Sequence, residues 1–218
     1  MKLISLVPVL ILSVVFAASP LYAKNAPPVK TPVITPLSVD EVETLVFMRE
    51  EEKMARDVYL SFYEQLQLVI FTNIASAEQQ HMDALKVLLD QYAIDDPVVD
   101  NTVGAFTDPG LLALYESLLV NGFVGEIEAL YVGALIEEID IQDLIDAIAE
   151  SDHTDVIQAY ENLLQGSRNH LRAFVRNIES RGLIYEAQYM DQDQVDEILD
   201  NPMERKNKGK RKGKKGGR

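Results

Sequence analysis

The sequence predicts an all-α protein organised around four long helices. Apolar residues recur at three- and four-residue spacing in four long segments, and no segment shows the sustained alternation that is typical of strands. Hydrophobic residues make up 47% of the 218-residue chain, which is sufficient for one domain with a buried core. The sequence contains no cysteine, which excludes disulfides, iron–sulfur clusters, zinc–cysteine sites and thiol nucleophiles.

The N-terminal residues 1–23 have the pattern of a secretory signal peptide. Lys2 supplies a positive charge, Leu3 to Ala18 is almost entirely apolar, and we expect a cut after Ala23. An uncleaved membrane anchor is the alternative, but the apolar run is shorter than the ~20 residues that span a bilayer. We therefore expect a secreted or periplasmic protein. Residues 24–37 contain four prolines and predict an extended linker before a helical domain over residues 38–200.

The first helix is predicted to begin after Ser38, which forms a capping-box pattern with Glu41, and to run to about Gln67. An acid interrupts its apolar stripe, because Glu52 falls on the same face. A buried carboxylate normally needs a partner charge or a metal, so Glu52 is a candidate ligand. The apolar members of this stripe are Leu45, Met48, Ala55, Tyr59, Phe62 and Leu66.

The second helix is predicted over Phe71 to Tyr92, and Glu78 and His81 interrupt its apolar face. Two ligand-type side chains three residues apart on a helix can turn towards one ion. A loop and a short helix over residues 111–120 follow. This connection is too long for a simple antiparallel pair, so it predicts a crossover along a four-helix bundle that contains a short extra helix.

The third helix is predicted from about Gly125 to Ala149, and the fourth from about Asp155 to Arg181. Glu137 and Asp140 lie on the apolar face of the third helix, and Glu138 is the alternative to Glu137 if the helix phase shifts by one residue. His170 lies on the apolar face of the fourth helix. A short acidic helix is predicted over residues 193–199.

Each of the four long helices thus carries a metal-competent side chain on its buried face. Carboxylate and imidazole ligands from the four helices of a bundle are typical of di-iron and di-manganese sites, and zinc is also compatible. The alternative is a buried hydrogen-bonded network without metal. The interruption of all four stripes by ligand-type residues favours the metal site. The candidate ligands are Glu52, Glu78, His81, Glu137, Asp140 and His170.

These motifs resemble the ferritin-like superfamily, and rubrerythrin in particular. Glu52, Ala55-Arg56 and Tyr59 are similar to its first-helix pattern, and Glu78-x-x-His81 is similar to its second-helix motif. The carboxylates and the histidine of the third and fourth helices resemble the remaining ligands. Over residues 38–190 the chain also resembles a prokaryotic ferritin-like family described only as a domain of unknown function. The segments that carry this second resemblance are 48–59, 139–144 and 166–172.

The resemblance implies two iron ions per chain and peroxidase or ferroxidase-type chemistry with peroxide or oxygen. It implies terminal ligation by Glu52 and a histidine, with Glu78 and Glu137 as candidate bridges and Tyr59 as a hydrogen-bond partner of a ligand. Electrons would come from an external donor, since the chain has no cysteine for a rubredoxin-type centre. The fourth helix departs from the family pattern, because Ser167 stands where the superfamily has a glutamate.

Residues 201–218 are predicted to form a disordered basic tail. Residues 205–218 carry nine basic residues and no acid, whereas residues 24–204 have a formal charge of −25. The tail is suited to an anionic surface or polymer. The lack of interleaved aromatic residues argues against base stacking, and we expect no sequence-specific nucleic-acid binding. A non-catalytic exported bundle that acts as a binding module is the alternative function. The oligomeric state is open, with a homo-oligomer among the options.

Overall fold

A computed structural model describes residues 35–204, and this part of the chain is entirely helical, without a strand, as predicted. The predicted signal peptide, residues 24–34 of the linker and residues 205–218 of the tail lie outside the described residues. None of the helices within residues 35–204 is both long and apolar enough to cross a membrane. The six helices are α1 (Val39–Leu66), α2 (Val69–Gln91), α3 (Pro109–Gly122), α4 (Glu126–Glu150), α5 (Thr154–Glu179) and α6 (Gln192–Asp200).

The four long helices form a square in the order α1, α2, α5, α4. Two residues join α1 to α2, and Gln67 makes the turn in a left-handed conformation with φ 57°. Residues 151–153 join α4 to α5. Helix α1 also packs on α4 and α2 on α5, while α3 lies against α1 and α4. The predicted long connection with a short extra helix is therefore confirmed between α2 and α4.

The start of α1 is tied to the turn between α4 and α5. Ser38 forms the predicted capping box with Glu41, whose carboxylate accepts a hydrogen bond from the Ser38 backbone N–H at 2.9 Å. The same carboxylate accepts from the hydroxyl of Ser151 at 2.9 Å and from the N–H of Asp152 at 3.0 Å. These bonds align the two helix pairs at this end of the square.

The middle of α1 is buried on every side, although the sequence predicts only one buried face. Residues 48–59 are all buried, including a run of charged side chains. The connection between α2 and α3 covers the outer face and provides partners for several of these charges. Lys53 donates to the carbonyl of Thr102 at 2.9 Å, and the Glu50 carboxylate accepts from the backbone N–H groups of residues 107–108 at 2.6 and 2.9 Å.

Residues 201–204, which the sequence analysis assigned to the beginning of the tail, lie against α5. The Glu204 carboxylate pairs with Arg168 at 2.7 Å and with Arg172 at 3.2 Å. Asn169 accepts a hydrogen bond from the Glu204 N–H at 2.8 Å. The described chain therefore ends at a point held on the surface of α5.

Candidate metal centre

Buried carboxylate and imidazole groups from α1, α2, α4 and α5 converge inside the square. The structure brings five of the six predicted ligands together in two groups of three, in which the ligand atoms lie within 4.8 Å of one another. One group comprises Glu52, Glu78 and His81, and the other comprises Glu78, Glu137 and His170. Glu78 belongs to both groups, so the two potential ion positions share one carboxylate.

The two oxygen atoms of Glu78 face different histidines. Oε2 lies 2.8 Å from Nδ1 of His81, and Oε1 lies 2.8 Å from Nδ1 of His170. Glu52 and Glu137 each approach one histidine only, at 3.2 Å from His81 and 3.4 Å from His170 respectively. This arrangement places Glu78 in a bridging position. Glu137, the other candidate bridge, belongs to a single group in this structure.

The helical spacing of Glu78 and His81 explains how α2 supplies both groups. Side chains three residues apart lie one turn apart on the same helix face, and this face of α2 is buried. The imidazole rings of His81 and His170 stack across the α2–α5 contact, with centroids 5.6 Å apart and planes inclined by 26°. The two histidines therefore flank Glu78, with each Nδ1 atom 2.8 Å from one of its oxygens.

Several buried atoms at this centre have no hydrogen-bond partner within the described chain. They include Oε1 of Glu52, Oε1 of Glu78 and Nδ1 of His170. The last two atoms are 2.8 Å apart, but their orientation does not satisfy hydrogen-bond geometry. Ligand atoms that share an ion at ~2.1 Å in neighbouring octahedral positions lie about 3 Å apart. Because orphaned buried polar atoms are rare, the donor set fits divalent metal ions.

The charge of the centre also suits cations, because four buried carboxylates face two imidazoles. Burial raises the pKa of Glu52 to about 7, against the opposing effect of His81. Burial and the neighbouring Glu52 and Glu137 raise the pKa of Asp140 well above its ordinary value. Burial likewise raises the pKa of Glu137. Divalent ions would supply the positive charge that these groups lack.

The carboxylates around the two histidines favour the protonated form of both imidazoles. Burial alone would lower the pKa of His170, but Glu78 and Glu137 outweigh it and raise this pKa to about 10. Glu52 and Glu78 have the same effect on His81, whose pKa lies well above its ordinary value. Burial opposes ionisation of Glu78, yet His170 and His81 hold its pKa well below the usual range. A metal that binds Nδ1 must displace these protons.

Asp140 is the one predicted ligand that the structure leaves outside both groups. The hydroxyl of Ser167 donates a hydrogen bond to its Oδ2, while its buried Oδ1 has no partner in the described chain. Ser167, which stands where the resemblance expects a glutamate, therefore orients the carboxylate of the neighbouring helix. Asp140 lies next to the centre, since Glu52 and Glu137 are its strongest charged neighbours.

Tyr59 holds Glu137 from the side of the aromatic core. Its hydroxyl donates to Oε1 of Glu137 at 2.6 Å, so the other oxygen of this carboxylate faces His170. The Tyr59 ring packs against Phe71 and Phe174, with centroids 6.2 and 5.4 Å away. The sequence analysis expected Tyr59 to hydrogen-bond a ligand, and the structure shows a hydrogen bond to the candidate ligand Glu137.

Glu138, the alternative to Glu137, faces away from the centre. Its carboxylate accepts hydrogen bonds from the Tyr185 hydroxyl at 2.5 Å and from the backbone N–H groups of residues 188–190 at 2.6 to 3.1 Å. Glu138 therefore anchors the connection between α5 and α6. The helix phase of the sequence analysis, with Glu137 on the inner face, agrees with this geometry.

Glu51 is a buried acid beside the centre that the sequence analysis did not single out. It is 3% exposed, and its Oε2 has no hydrogen-bond partner in the described residues. It does not belong to the apolar stripe of α1, and its neighbours in sequence are also acids. The only signal was the run Glu50-Glu51-Glu52, which by itself is typical of an exposed helix face.

Comparison with known proteins places this helical domain in a family. The chain is 48% identical over 170 residues to the uncharacterized protein MJ0754 of Methanocaldococcus jannaschii, an alignment that covers 78% of this chain and 92% of that protein. The crystal structure of the hypothetical protein MJ0754 from Methanococcus jannaschii matches with a TM-score of 0.77 at 47% identity, covering 78% of this chain and 98% of that one. Residues 41–202 match the family described as "Uncharacterized protein domain (DUF2202)". The chain therefore belongs to the DUF2202 family.

Proposed function

We propose that this protein binds two divalent metal ions in a carboxylate–histidine centre of a ferritin-like four-helix bundle. The observation that carries the proposal is Glu78, whose two oxygens lie 2.8 Å from histidines of two separate ligand groups. A square of four helices with one long crossover is the arrangement of ferritin-like folds. The oxygen-rich donor set favours iron or manganese, with zinc as the weaker candidate.

Iron is our first choice, and such a pair supplies redox chemistry towards peroxide or oxygen, of the peroxidase or ferroxidase type. Glu52 and His81 would hold one ion, and Glu137 and His170 the other, with Glu78 shared between them. Tyr59 orients Glu137 and keeps one of its oxygens occupied. Because the chain has no cysteine, electrons would come from an external donor.

A groove between α2 and α5 supports access by a small polar reactant. It has a volume of about 580 Å³, and His81 is the candidate ligand that lines it within the described chain. Nδ1 of His81 faces Glu52 and Glu78, while the opposite edge of the ring faces α5 at Gly166. Four of the other lining residues are uncharged and polar, which suits peroxide: Gln80, Gln158, Asn162 and Gln165.

Export is part of this proposal. The N-terminal pattern of residues 1–23 supports a cleaved signal peptide and a periplasmic or secreted location. The nine basic residues of positions 205–218 support contact with an anionic surface or polymer outside the cell. Such contacts would weaken with salt, since exposed charges are screened beyond ~10 Å at 0.1 M ionic strength.

Metal analysis of untagged protein from cells grown with iron and manganese tests the proposal. We expect about two metal ions per chain for the wild type, as in other di-metal bundles. Glu78→Gln should lose both ions because both groups contain Glu78, whereas Glu137→Gln should lose one. Asp83→Asn, an exposed acid on the same helix as Glu78, should retain both. Absence of metal in the wild type, even after anaerobic reconstitution with ferrous iron, would refute the proposal.

A non-catalytic exported bundle with a structural polar network is the second candidate. It is favoured by the direct contacts of His81 and His170 with Glu52, Glu78 and Glu137, which can pair as ions without a metal. Melting temperatures of Glu78→Ala with and without metal separate the two functions. A metal centre predicts a loss only relative to the metal-loaded wild type, whereas a structural network predicts the same loss in both forms. Peroxide-consumption and ferrous-oxidation assays then test the chemistry of the loaded protein.

A further inference from the structure

An acidic groove lies on the face of the molecule formed by α1 and α4. It has a volume of about 430 Å³ and includes four acids, Glu43, Asp143, Asp146 and Glu150. Among the described residues, no basic side chain lines this groove. This groove differs from the largely uncharged groove between α2 and α5, so the two sides of the square offer different chemistry to approaching molecules.

Glu51 on α1 is buried next to Asp143, one of the acids that line this groove. Its carboxyl group is within hydrogen-bonding range of that of Asp143, and Asp140 and Glu52 are close neighbours. Asp143 is half-buried and also lines the groove, whereas Glu51 and Asp140 are fully buried. Carboxylates therefore follow one another from the groove to the centre, in the order Asp143, Glu51, Asp140 and Glu52.

Glu51 is the buried acid in the middle of α1 that the ion pairs of the described chain leave out. Arg49 pairs with Asp96 at 3.1 Å, and Lys53 and Arg56 pair with Asp57 at 2.5 and 2.7 Å. Glu51 has no cation partner within the described residues, and its Oε2 accepts no hydrogen bond. Burial, reinforced by Asp140 and Asp143, raises the pKa of Glu51 well above its ordinary value.

Three carboxylates in this row each have a buried oxygen atom that accepts no hydrogen bond in the described chain. Oε2 of Glu51, Oδ1 of Asp140 and Oε1 of Glu52 are buried and unpartnered in the described chain. A buried carboxylate without a partner is costly, and a divalent cation would relieve this cost at each position in turn. No group of three close ligand atoms forms at Glu51 among residues 35–204. A cation at Glu51 would therefore have fewer close ligand atoms than a cation in either of the two ligand groups.

We propose that divalent cations enter the centre through the α1–α4 groove. Glu51 and Asp143 form a transfer site that binds each cation transiently, and from there the cation moves to Asp140 and Glu52. This inference rests on the proposed metal-binding function. Small uncharged reactants would use the α2–α5 groove instead. Filling of the centre and access by its reactant would then take place from opposite faces of the bundle.

Stopped-flow loading of metal-free full-length protein with Co²⁺ tests the transfer site, because bound Co²⁺ has visible absorption. We expect Glu51→Gln and Asp143→Asn to slow loading roughly tenfold, the lower end of the range for electrostatic steering. The final Co²⁺ stoichiometry should match the wild type, since neither residue belongs to the two ligand groups. Glu161→Gln, which removes an acid from the α2–α5 groove, is the matched control and should load at the wild-type rate.

Equal loading rates in the wild type and in both Glu51→Gln and Asp143→Asn would overturn the transfer site. An equal slowing in Glu161→Gln would overturn it too, because the effect would then reflect net charge. If Glu51→Gln does not fold, Asp143→Asn still tests the transfer site, and the surface variant Asp146→Asn with Glu150→Gln tests entry through the groove. Failure of the wild type itself to bind Co²⁺ would refute the proposed function, whereas normal binding at unchanged rates would refute only the entry route.

Discussion

A Cβ atom at Gly166 would lie 2.5 Å from Nε2 of His81, which is closer than real Cβ contacts allow. The absence of a side chain at this position lets α5 pass directly against the imidazole ring. The backbone of Gly166 is helical, so a turn or a positive φ does not explain this glycine. Gly166 is therefore explained by its close approach to His81.

We predict that Gly166→Ala displaces His81 and weakens metal binding at least tenfold. In an unobstructed helix the same change would stabilise the protein by about 1 kcal/mol. In a His81→Ala background the obstruction is gone, so Gly166→Ala should then be stabilising. Calorimetric titration with Mn²⁺ and thermal unfolding of the four proteins measure both effects. Gln165→Ala, next to Gly166 on α5, is the control and should bind metal normally. Destabilisation by Gly166→Ala in both backgrounds would contradict the His81 contact.

The hydroxyl group of Tyr59 should contribute to the stability of the fold, whereas that of Tyr160 should not. Tyr59→Phe removes the 2.6 Å hydrogen bond to Glu137, and we expect a loss of about 1–2 kcal/mol in unfolding free energy. Tyr160 is equally buried, but its hydroxyl has no partner in the described chain. Tyr160→Phe should therefore be neutral or slightly stabilising. Denaturant unfolding of both variants measures the difference, and equal losses would show that the Tyr59 bond contributes nothing specific.

Metal binding should release protons near neutral pH. His170 has a raised pKa of about 10 and is protonated at pH 7, so a metal ion bound to Nδ1 must displace its proton. Protons compete with metal, and affinity should therefore rise with pH by up to about tenfold per unit for each displaced proton. Titration calorimetry in buffers of different ionisation enthalpy counts these protons. A buffer-independent enthalpy at pH 7 would mean that the histidines are already neutral.

Substitutions of the adjacent acids Glu137 and Glu138 on α4 should affect different properties of the protein. Glu138→Ala removes the acceptor for the Tyr185 hydroxyl and for the backbone of residues 188–190, so we expect faster proteolysis between α5 and α6 with unchanged metal content. Glu137→Ala should lower the metal content and leave this connection intact. Limited proteolysis of the two variants measures the protection of the α5–α6 connection, and metal analysis measures the metal content. Loss of metal from Glu138→Ala in the folded protein would contradict the assignment of Glu138 to an anchoring role.

The helices themselves were predictable because capping and periodicity act over a few residues. Ser38 and Glu41 mark the start of α1 by a bond between neighbouring side chains and backbone. The stripe of α1 identified Glu52 because residues at helical spacing share a face whatever surrounds them. The same local rule favoured Glu137 on the inner face but left Glu138 as an alternative, and the structure decided for Glu137. Local sequence thus determined the all-helical class and the inward position of the candidate ligands.

Tertiary structure decided which candidate ligands lie together in each group. This grouping depends on distances between helices, and local sequence rules do not determine those distances. The bridging position of Glu78 requires α2 and α5 to approach until His81 and His170 stack. The bond from Ser167 to Asp140 links two helices and is invisible in either sequence segment. Glu51 belongs to an acidic run typical of an exposed helix face, and it is buried only because the surrounding chain covers α1 on every side.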